Sequence, residues 1–289
     1  MNPTNETPFA SITILTSNPG SEFSSTLDGI FAQECPFKFE VVVVDSGSVD
    51  GTIDLIKNYP IKLYSIPSYE FNFGVTRDYV FSLTKGQFII AISQDVIPVG
   101  NNWLKNLIEP FIDPDIAIVQ GITVLPKDRE QFFWEKVGMF YYTRECKRWA
   151  STHNGIGVSF VNCAIRRSVW QNNRLEKIEM MEDKFFQMKL SKGGYKIYRE
   201  MNAMCYHGHT YTVCDLVKRC ENEGLGWRMV GQTYSLTEMV RDLFNLKIYR
   251  QLFNGMKTHQ VKRLSELLFP LIRPIFVFIG NHFVKRYVK

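Results

Sequence analysis

Two stretches restrict what this chain can fold into more than any others: Phe39-Glu-Val-Val-Val-Val-Asp45 and Phe88-Ile-Ile-Ala-Ile-Ser-Gln-Asp95. Each is a run of mainly β-branched apolar residues without polar alternation, as in a parallel strand buried on both faces, and each runs straight into an aspartate. Ligands of such sheets bind beyond the carboxyl ends of the strands, so Asp45 and Asp95 are expected to share a cleft.

The rest of the first half supports a parallel sheet. Ser11-Ile-Thr-Ile-Leu-Thr reads as a first strand, followed by a helical pattern at Phe23, Leu27, Ile30 and Phe31. After Asp45, Ser46-Gly-Ser-Val-Asp-Gly-Thr reads as a tight turn that opens a helix near Thr52. Ile61–Ile66 reads as a short third strand, and a helix over Phe73–Phe81 leads through Lys85-Gly86 into the strand that ends at Asp95. Strands alternating with helices imply βαβ units with right-handed crossovers. Beyond Pro98 the alternation loosens into a helix over Trp103–Phe111, a strand at Ile116–Val119 and an aromatic helical segment over Phe132–Trp149. A strand at Val158–Ile165, a helix over Glu182–Lys192 and a short strand at Tyr195–Tyr198 follow.

Three acidic sites have spacing suited to chemistry. Asp95 lies at the mouth of a buried strand with no helix start for it to cap. Asp45 is either a ligand contact or a turn residue before Gly47. The Glu182-Asp183 doublet opens a helix, where acids also complement the helix dipole, so catalysis and capping both fit. His207 and His209, two apart in Tyr-His-Gly-His-Thr, would face the same way on a strand and are candidate metal ligands; ordinary hydrogen bonding is the alternative.

In order and spacing over roughly residues 11 to 212, Thr16, Val-Val-Asp45-Ser-Gly-Ser-Val-Asp50-Gly-Thr, Gly74-Val-Thr-Arg77-Asp, Ser-Gln94-Asp95 and Met-Glu182-Asp183 with Gly194-Tyr-Lys-Ile resemble a family-2 glycosyltransferase. Phe71-Asn-Phe-Gly-Val-Thr-Arg, Asn162-Cys-Ala-Ile-Arg-Arg-Ser-Val-Trp and Tyr206-His-Gly-His-Thr-Tyr are similar to the branch that uses dTDP-L-rhamnose. The resemblance implies a GT-A fold, an α/β Rossmann-like, mostly parallel central sheet flanked by helices, over residues 1–212, with a helical extension over 213–289. It implies inverting transfer from a nucleoside-diphosphate sugar, dTDP- or UDP-linked, to a hydroxyl of a glycan or lipid-linked acceptor in cell-surface polysaccharide assembly.

By the same resemblance Thr16, Asp45, Asp50, Arg77 and Gln94 border the nucleotide, with Asp45 accepting from the base imide. Asp95 holds Mg²⁺ or Mn²⁺, with His207 or His209 as a further ligand, and Asp183 is the general base with Glu182 as its substitute. The family's metal motif carries two acids, whereas this chain supplies Ser93-Gln94-Asp95 and so one. That departure leaves a catalytically inactive nucleotide-sugar-binding module as an alternative, and a nucleotidyltransferase as another, although Thr16-Ser-Asn-Pro-Gly-Ser has no basic residue of the kind a phosphate loop needs.

Charge and cysteines narrow the setting. A formal charge of +5 on 289 residues, with Lys285, Arg286 and Lys289 following an apolar stretch, suits a phosphate-bearing ligand or anionic lipid and not a nucleic-acid duplex. Six scattered cysteines without a CxxC pair imply free thiols in a reducing compartment, and the polar N-terminus implies no secretory signal, so the expected location is the cytoplasm, at the inner face of the membrane. Residues 264–287 are the most apolar part of the chain, but Pro270, Arg273 and Pro274 interrupt them, which points to an interfacial helix, with a helix packed on the protein as the alternative.

Overall fold

A computed structural model describes residues 7–286; the polar N-terminus at 1–6 and the last three residues, with Lys289 of the basic tail, lie outside the described residues. In chain order the elements are β1 (Ala10–Thr16), α1 (Phe23–Phe31), β2 (Phe39–Asp45), α2 (Thr52–Ile56), β3 (Ile61–Ser65), α3 (Phe73–Ser82), β4 (Phe88–Ser93), β5 (Ile97–Pro98), α4 (Trp103–Ile108) and β6 (Ile116–Val124). Then come α5 (Phe133–Lys136), α6 (Arg144–Thr152), β7 (Asn162–Arg166), α7 (Arg167–Asn172), α8 (Glu182–Lys192), β8 (Lys196–Tyr206), α9 (Val213–Met229), α10 (Leu236–Leu243), α11 (Leu246–Lys257) and α12 (Leu264–His282). They fall into two compact units: one runs up to Val124 and resumes over Val158–Ile178 and Glu182–His207, and the other comprises Leu125–Gly157, Glu179–Met181 and the chain from Gly208 onward.

The first unit holds a mixed sheet of eight strands in the order β3-β2-β1-β4-β7-β6-β8-β5. The parallel half is as expected: β1 pairs in parallel with β2 on one side and β4 on the other, and β2 with β3. β7 then runs antiparallel to both β4 and β6, while β6 and β8 are parallel. The uninterrupted apolar runs are explained by burial on both faces. Val41, Val43, Ile90 and Ile92 enter one core with Phe23, Leu27 and Trp103. Val42, Val44, Ile89 and Ala91 enter the opposite core with Phe81, Trp170 and Phe186.

Three strands differ in extent from the sequence reading, the first being β6, which the sequence places at Ile116–Val119 and which runs on to Val124. The expected strand over Val158–Ile165 pairs only from Asn162, because the amide of Val158 donates to the Gln187 side chain and that of Ser159 to the Gln120 side chain, so neither joins the ladder. The strand read at Tyr195–Tyr198 runs on to Tyr206, since β8 keeps pairing with β6 through two register shifts. The aromatic segment read as one helix over Phe132–Trp149 is α5 and α6, separated by a stretch that includes Gly138 at φ 66°.

The second unit is helical, and α12 packs along α9. Gly224 and Gly280 permit the close crossing: a Cβ on Gly224 would lie 2.1 Å from the Val277 carbonyl oxygen, and one on Gly280 2.0 Å from that of Glu221. By length and composition the 19 residues of α12 are enough to cross a membrane. Its buried side is nevertheless polar in part. Arg273, fully buried, donates to Glu223 on α9 at 2.6 and 3.2 Å, and Asn281 donates to the carbonyls of Gly224 and Gln232.

The two prolines inside α12 do not break it. A proline withholds the amide that would bond the carbonyl four residues earlier, so Pro270 strands the Glu266 carbonyl and Pro274 strands that of Pro270. The indole N–H of Trp134 fills the first at 2.7 Å, and the Tyr142 hydroxyl the second at 3.4 Å. The Glu266 carboxylate then accepts from the amides of Phe133, Lys262 and Arg263, tying α5 to the start of α12.

Removing one member of a buried ion pair leaves the other charged and unsolvated, which costs about 3–5 kcal/mol. Arg273→Met alone should therefore lower the denaturant midpoint of the helical unit sharply, and Arg273→Met combined with Glu223→Leu should recover most of the loss. Tryptophan fluorescence during unfolding checks both.

Candidate active site

The crevice forms where β1 lies between β2 and β4, because the crossovers leave β1 toward β2 and return on its other side at β4. Thr16 is the register partner of Asp45 at the strand ends, and Leu15 that of Ser93, so both aspartates are delivered to one edge. The loops beyond are bonded to one another. Asn18, at φ 45°, accepts from the Val49 amide on its side-chain oxygen, and its own amide donates to Ser48. Asp50 accepts from the Gly20 amide and from the amide and hydroxyl of Thr52, and the Thr52 bond holds its carboxyl below the usual range.

Thr16, Asp45 and Gln94, like Asp50, are engaged in this framework. Asp45 accepts from the amides of Gly47 and Ser48 and from the Ser48 hydroxyl, the turn contact that its sequence position also allowed. The Gln94 side-chain oxygen accepts from the Thr16 hydroxyl at 3.0 Å and the Ser17 amide at 2.9 Å, locking the end of β1 to the turn after β4. An acid there would bring a second charge; the amide brings an acceptor for two donors and no charge.

Arg77 comes from α3, whose start is capped by the Asn72 side chain. The guanidinium is buried against the Phe160 ring, with Nε 3.8 Å from Glu182 Oε1, and among the described residues Nε and Nη1 have no hydrogen bond. Arg77 therefore stands as the counter-ion beneath the acidic doublet. Glu182 and Asp183 open α8 directly after Met181, which adopts φ 58°, a left-handed conformation uncommon for a side chain of this kind.

The two acids of the doublet differ in surroundings. Burial and then the adjacent Asp183 charge push Glu182 up to about 7, against the pull of Arg77. Asp183 is partly open to solvent, its carboxylate accepting from the Lys184 amide at 2.7 Å and lying 3.4 Å from the Lys184 ammonium, which also bonds the Val158 carbonyl. Lys184, a fixed cation beside the doublet, has no distinctive sequence signal, because lysine in a first helical turn is common on solvated faces.

Asp95 meets His207 through strand pairing. β5 is two residues long and antiparallel to β8, with Ile97 opposite Tyr206, which brings Asp95, two residues before Ile97, to the stretch that follows Tyr206. Asp95 Oδ2 is 3.6 Å from His207 Nε2, and the His207 amide donates to the Val124 carbonyl at the end of β6. A carboxylate oxygen and an imidazole nitrogen at that separation suit two positions on one divalent ion. His209 lies beyond the end of β8, in the second unit, where its amide donates to Glu135.

A sheet with this switch point and strand-end carboxylates is the ground plan of a nucleotide-binding enzyme, and known proteins narrow it further. The model for glycosyl transferase family 2 matches residues 11–173. The chain is 30% identical over 223 residues to the O-antigen chain rhamnosyltransferase RfbN of Salmonella typhimurium, covering 73% of this chain and 70% of that protein. It is 26% identical over 181 residues to the O-antigen chain rhamnosyltransferase WbaN of Salmonella anatum, covering 60% of this chain and 58% of that protein. Among solved structures, the mannosyltransferase of Pyrobaculum calidifontis in complex with GDP-mannose and Mn²⁺ is similar with a TM-score of 0.64 at 14% identity, over 96% of this chain and 88% of that one. The glucosyl-3-phosphoglycerate synthase of Mycobacterium tuberculosis with Mn²⁺, UDP-glucose and phosphoglyceric acid gives 0.59 at 15% identity, over 78% and 80%. This chain belongs to glycosyl transferase family 2 and has the GT-A fold.

The raised Glu182 has a signed consequence. Its folded-state pKa of about 7 exceeds the ordinary 4.5, so the stability it contributes is full below about 4.5 and is lost as pH rises through about 7. Glu182→Gln, neutral at every pH, should lose less thermal stability than the parent between pH 5 and 8, read as the difference in Tm across that window.

Proposed function

We propose that this glycosyltransferase inverts the anomeric centre of its donor and moves L-rhamnose from a nucleoside-diphosphate sugar, dTDP- or UDP-linked, to a hydroxyl of a glycan or lipid-linked acceptor during cell-surface polysaccharide assembly. The sugar and the setting follow the two O-antigen chain rhamnosyltransferases, which this chain matches over most of its length. The observation that carries the chemistry is the unequal acidic doublet: Glu182 buried against Arg77, Asp183 half-buried beside Lys184 with its side chain 18% exposed.

Inversion by single displacement needs one base to take the acceptor hydroxyl proton as that oxygen attacks the anomeric carbon, and no protein nucleophile. Asp183 is that base. Lys184 keeps its carboxylate oriented, and Glu182, anchored on Arg77, fixes the first turn of α8. Thr16, Asp45, Asp50 and Gln94 form the wall on which the nucleotide rests, the first two at the base and Asp50 through the loop it ties down. Arg77 serves that wall from beneath.

Asp95 and His207 are the residues that would hold Mg²⁺ or Mn²⁺, which when bound supplies positive charge to the departing diphosphate. His209 joins them in this reading by its place in the His-Gly-His turn. With a histidine in place of the second acid, Mn²⁺ is favoured over Mg²⁺, since imidazole nitrogen is a softer ligand than carboxylate oxygen. The free thiols of all six cysteines suit the reducing cytoplasm.

Asp183→Asn should lower kcat by about 10²- to 10⁴-fold while leaving donor affinity near the parent value; turnover close to normal would sink the assignment. Donor binding is read by thermal stabilisation across a panel of nucleotide sugars with Mn²⁺, which also names the donor. His207→Ala and His209→Ala should each raise the Mn²⁺ concentration needed for half-maximal turnover, and a variant that leaves it unchanged removes that histidine from the metal.

A further inference from the structure

The last three helices of the second unit each bury one side and leave an apolar stripe on the other. On α10 Leu236, Val240 and Phe244 recur every fourth residue, the last just past the helix end; on α11 Leu246 and Phe253 are seven apart; on α12 Leu264 and Leu271 are seven apart. All are exposed, Phe244 by 70% and Leu246 by 82%. Isolated exposed leucines are ordinary, whereas stripes at helical spacing on three consecutive helices are the pattern of a surface that meets something apolar.

The charges on this segment are one-sided. Residues 236–286 hold nine Lys or Arg against three Asp or Glu. All three acids are used internally: Glu238 by Arg148 and the Ser235 cap, Asp242 by the Arg144 amide and Tyr234, and Glu266 by the amides of Phe133, Lys262 and Arg263. Of the cations, Arg273 is spent on Glu223, while Arg241, Lys247, Arg250 and Lys257 are exposed on or between the same helices as the stripes. The Lys257 ammonium lies 4.6 Å from the ring of the exposed Phe253, the arrangement in which a basic side chain lies along an apolar one and keeps its head in water.

We propose that the exposed stripes of α10, α11 and α12, with their basic residues, dock this chain on a lipid bilayer carrying anionic headgroups, lying in the interface without crossing it. Apolar side chains enter the acyl boundary while lysine and arginine meet phosphate. A second copy of the chain is the weaker occupant, because a two-fold interface sets the same patch against itself and would bring these cations together with no acid to offset them. Spanning by α12 is opposed by the Arg273–Glu223 pair, which holds that helix against α9.

The full-length chain is sedimented with phosphatidylcholine vesicles and with vesicles of phosphatidylcholine mixed with phosphatidylglycerol. Binding to the mixed vesicles alone, weakened by salt, is expected, with a loss of about fivefold in partition for each cation removed in Arg250→Gln and Lys257→Gln. Phe244→Ser with Phe253→Ser should reduce binding without altering the salt dependence. Equal partition on both vesicle types, no partition on either, or partition unmoved by both sets of substitutions overturns the proposal. So does a dimer, in sedimentation velocity without lipid, that Phe244→Ser with Phe253→Ser dissociates. Rhamnosyl transfer to a water-soluble glycan is measured in parallel: its absence in the parent protein counts against the function proposed above and leaves the vesicle result to stand on its own.

Discussion

The position of β1 between two parallel neighbours, β2 and β4, is the constraint on which the rest of the first unit depends. Because both neighbours run with β1, all three strands end at the same edge, and because the chain reaches them from opposite sides, the edge opens into a crevice at β1 itself. Burial on both faces demands the uninterrupted apolar runs, so the same residues that make the core leave only the strand ends for polar chemistry. The side chains at those ends first stabilise one another: Thr16 and Ser17 with Gln94, Asp45 with Ser48, Asp50 with Gly20. A crevice whose walls are bonded before any ligand arrives loses little entropy when it binds.

Much of this was legible in the sequence, for reasons that differ by residue. Val41–Val44 and Ile89–Ile92 announce buried parallel strands because nothing else tolerates such runs so briefly, and the start of α8 at Glu182 follows from its acidic first turn. The pairing of Asn18 with Ser48 and Val49 was not visible, because both lie in turns of ordinary composition and meet across 30 residues of chain. Nor was the meeting of Asp95 with His207: it depends on β5, two residues too short to leave a pattern, pairing with a strand that the sequence suggested ends eight residues earlier. At Asp45 the turn contact is the one seen, since its oxygens take up the turn amides.

The helical unit shows how little apolar composition says of a helix's polar contacts when the partners are distant. From Leu264 onward the residues resemble a membrane-associating segment, and α12 is long enough to span. Its arginine, asparagine and two prolines are each answered by a particular group from α9, α5 or the chain just before α6, and none of those answers is recorded in the helix's own sequence. The aromatic stretch from Phe132 to Trp149, which the sequence reads as a helical segment, is the source of two of them.

The two carbonyls released by Pro270 and Pro274 also set an order of assembly. Their donors, Trp134 and Tyr142, leave the ribosome about 130 residues before the helix that needs them. During synthesis the sheet unit can close once β8 has emerged, while α5 and α6 wait with buried-type aromatic side chains and no partner for their polar atoms. The ring cluster of Phe132, Phe140 and Tyr211 is accordingly left without Phe269 until α12 has been made.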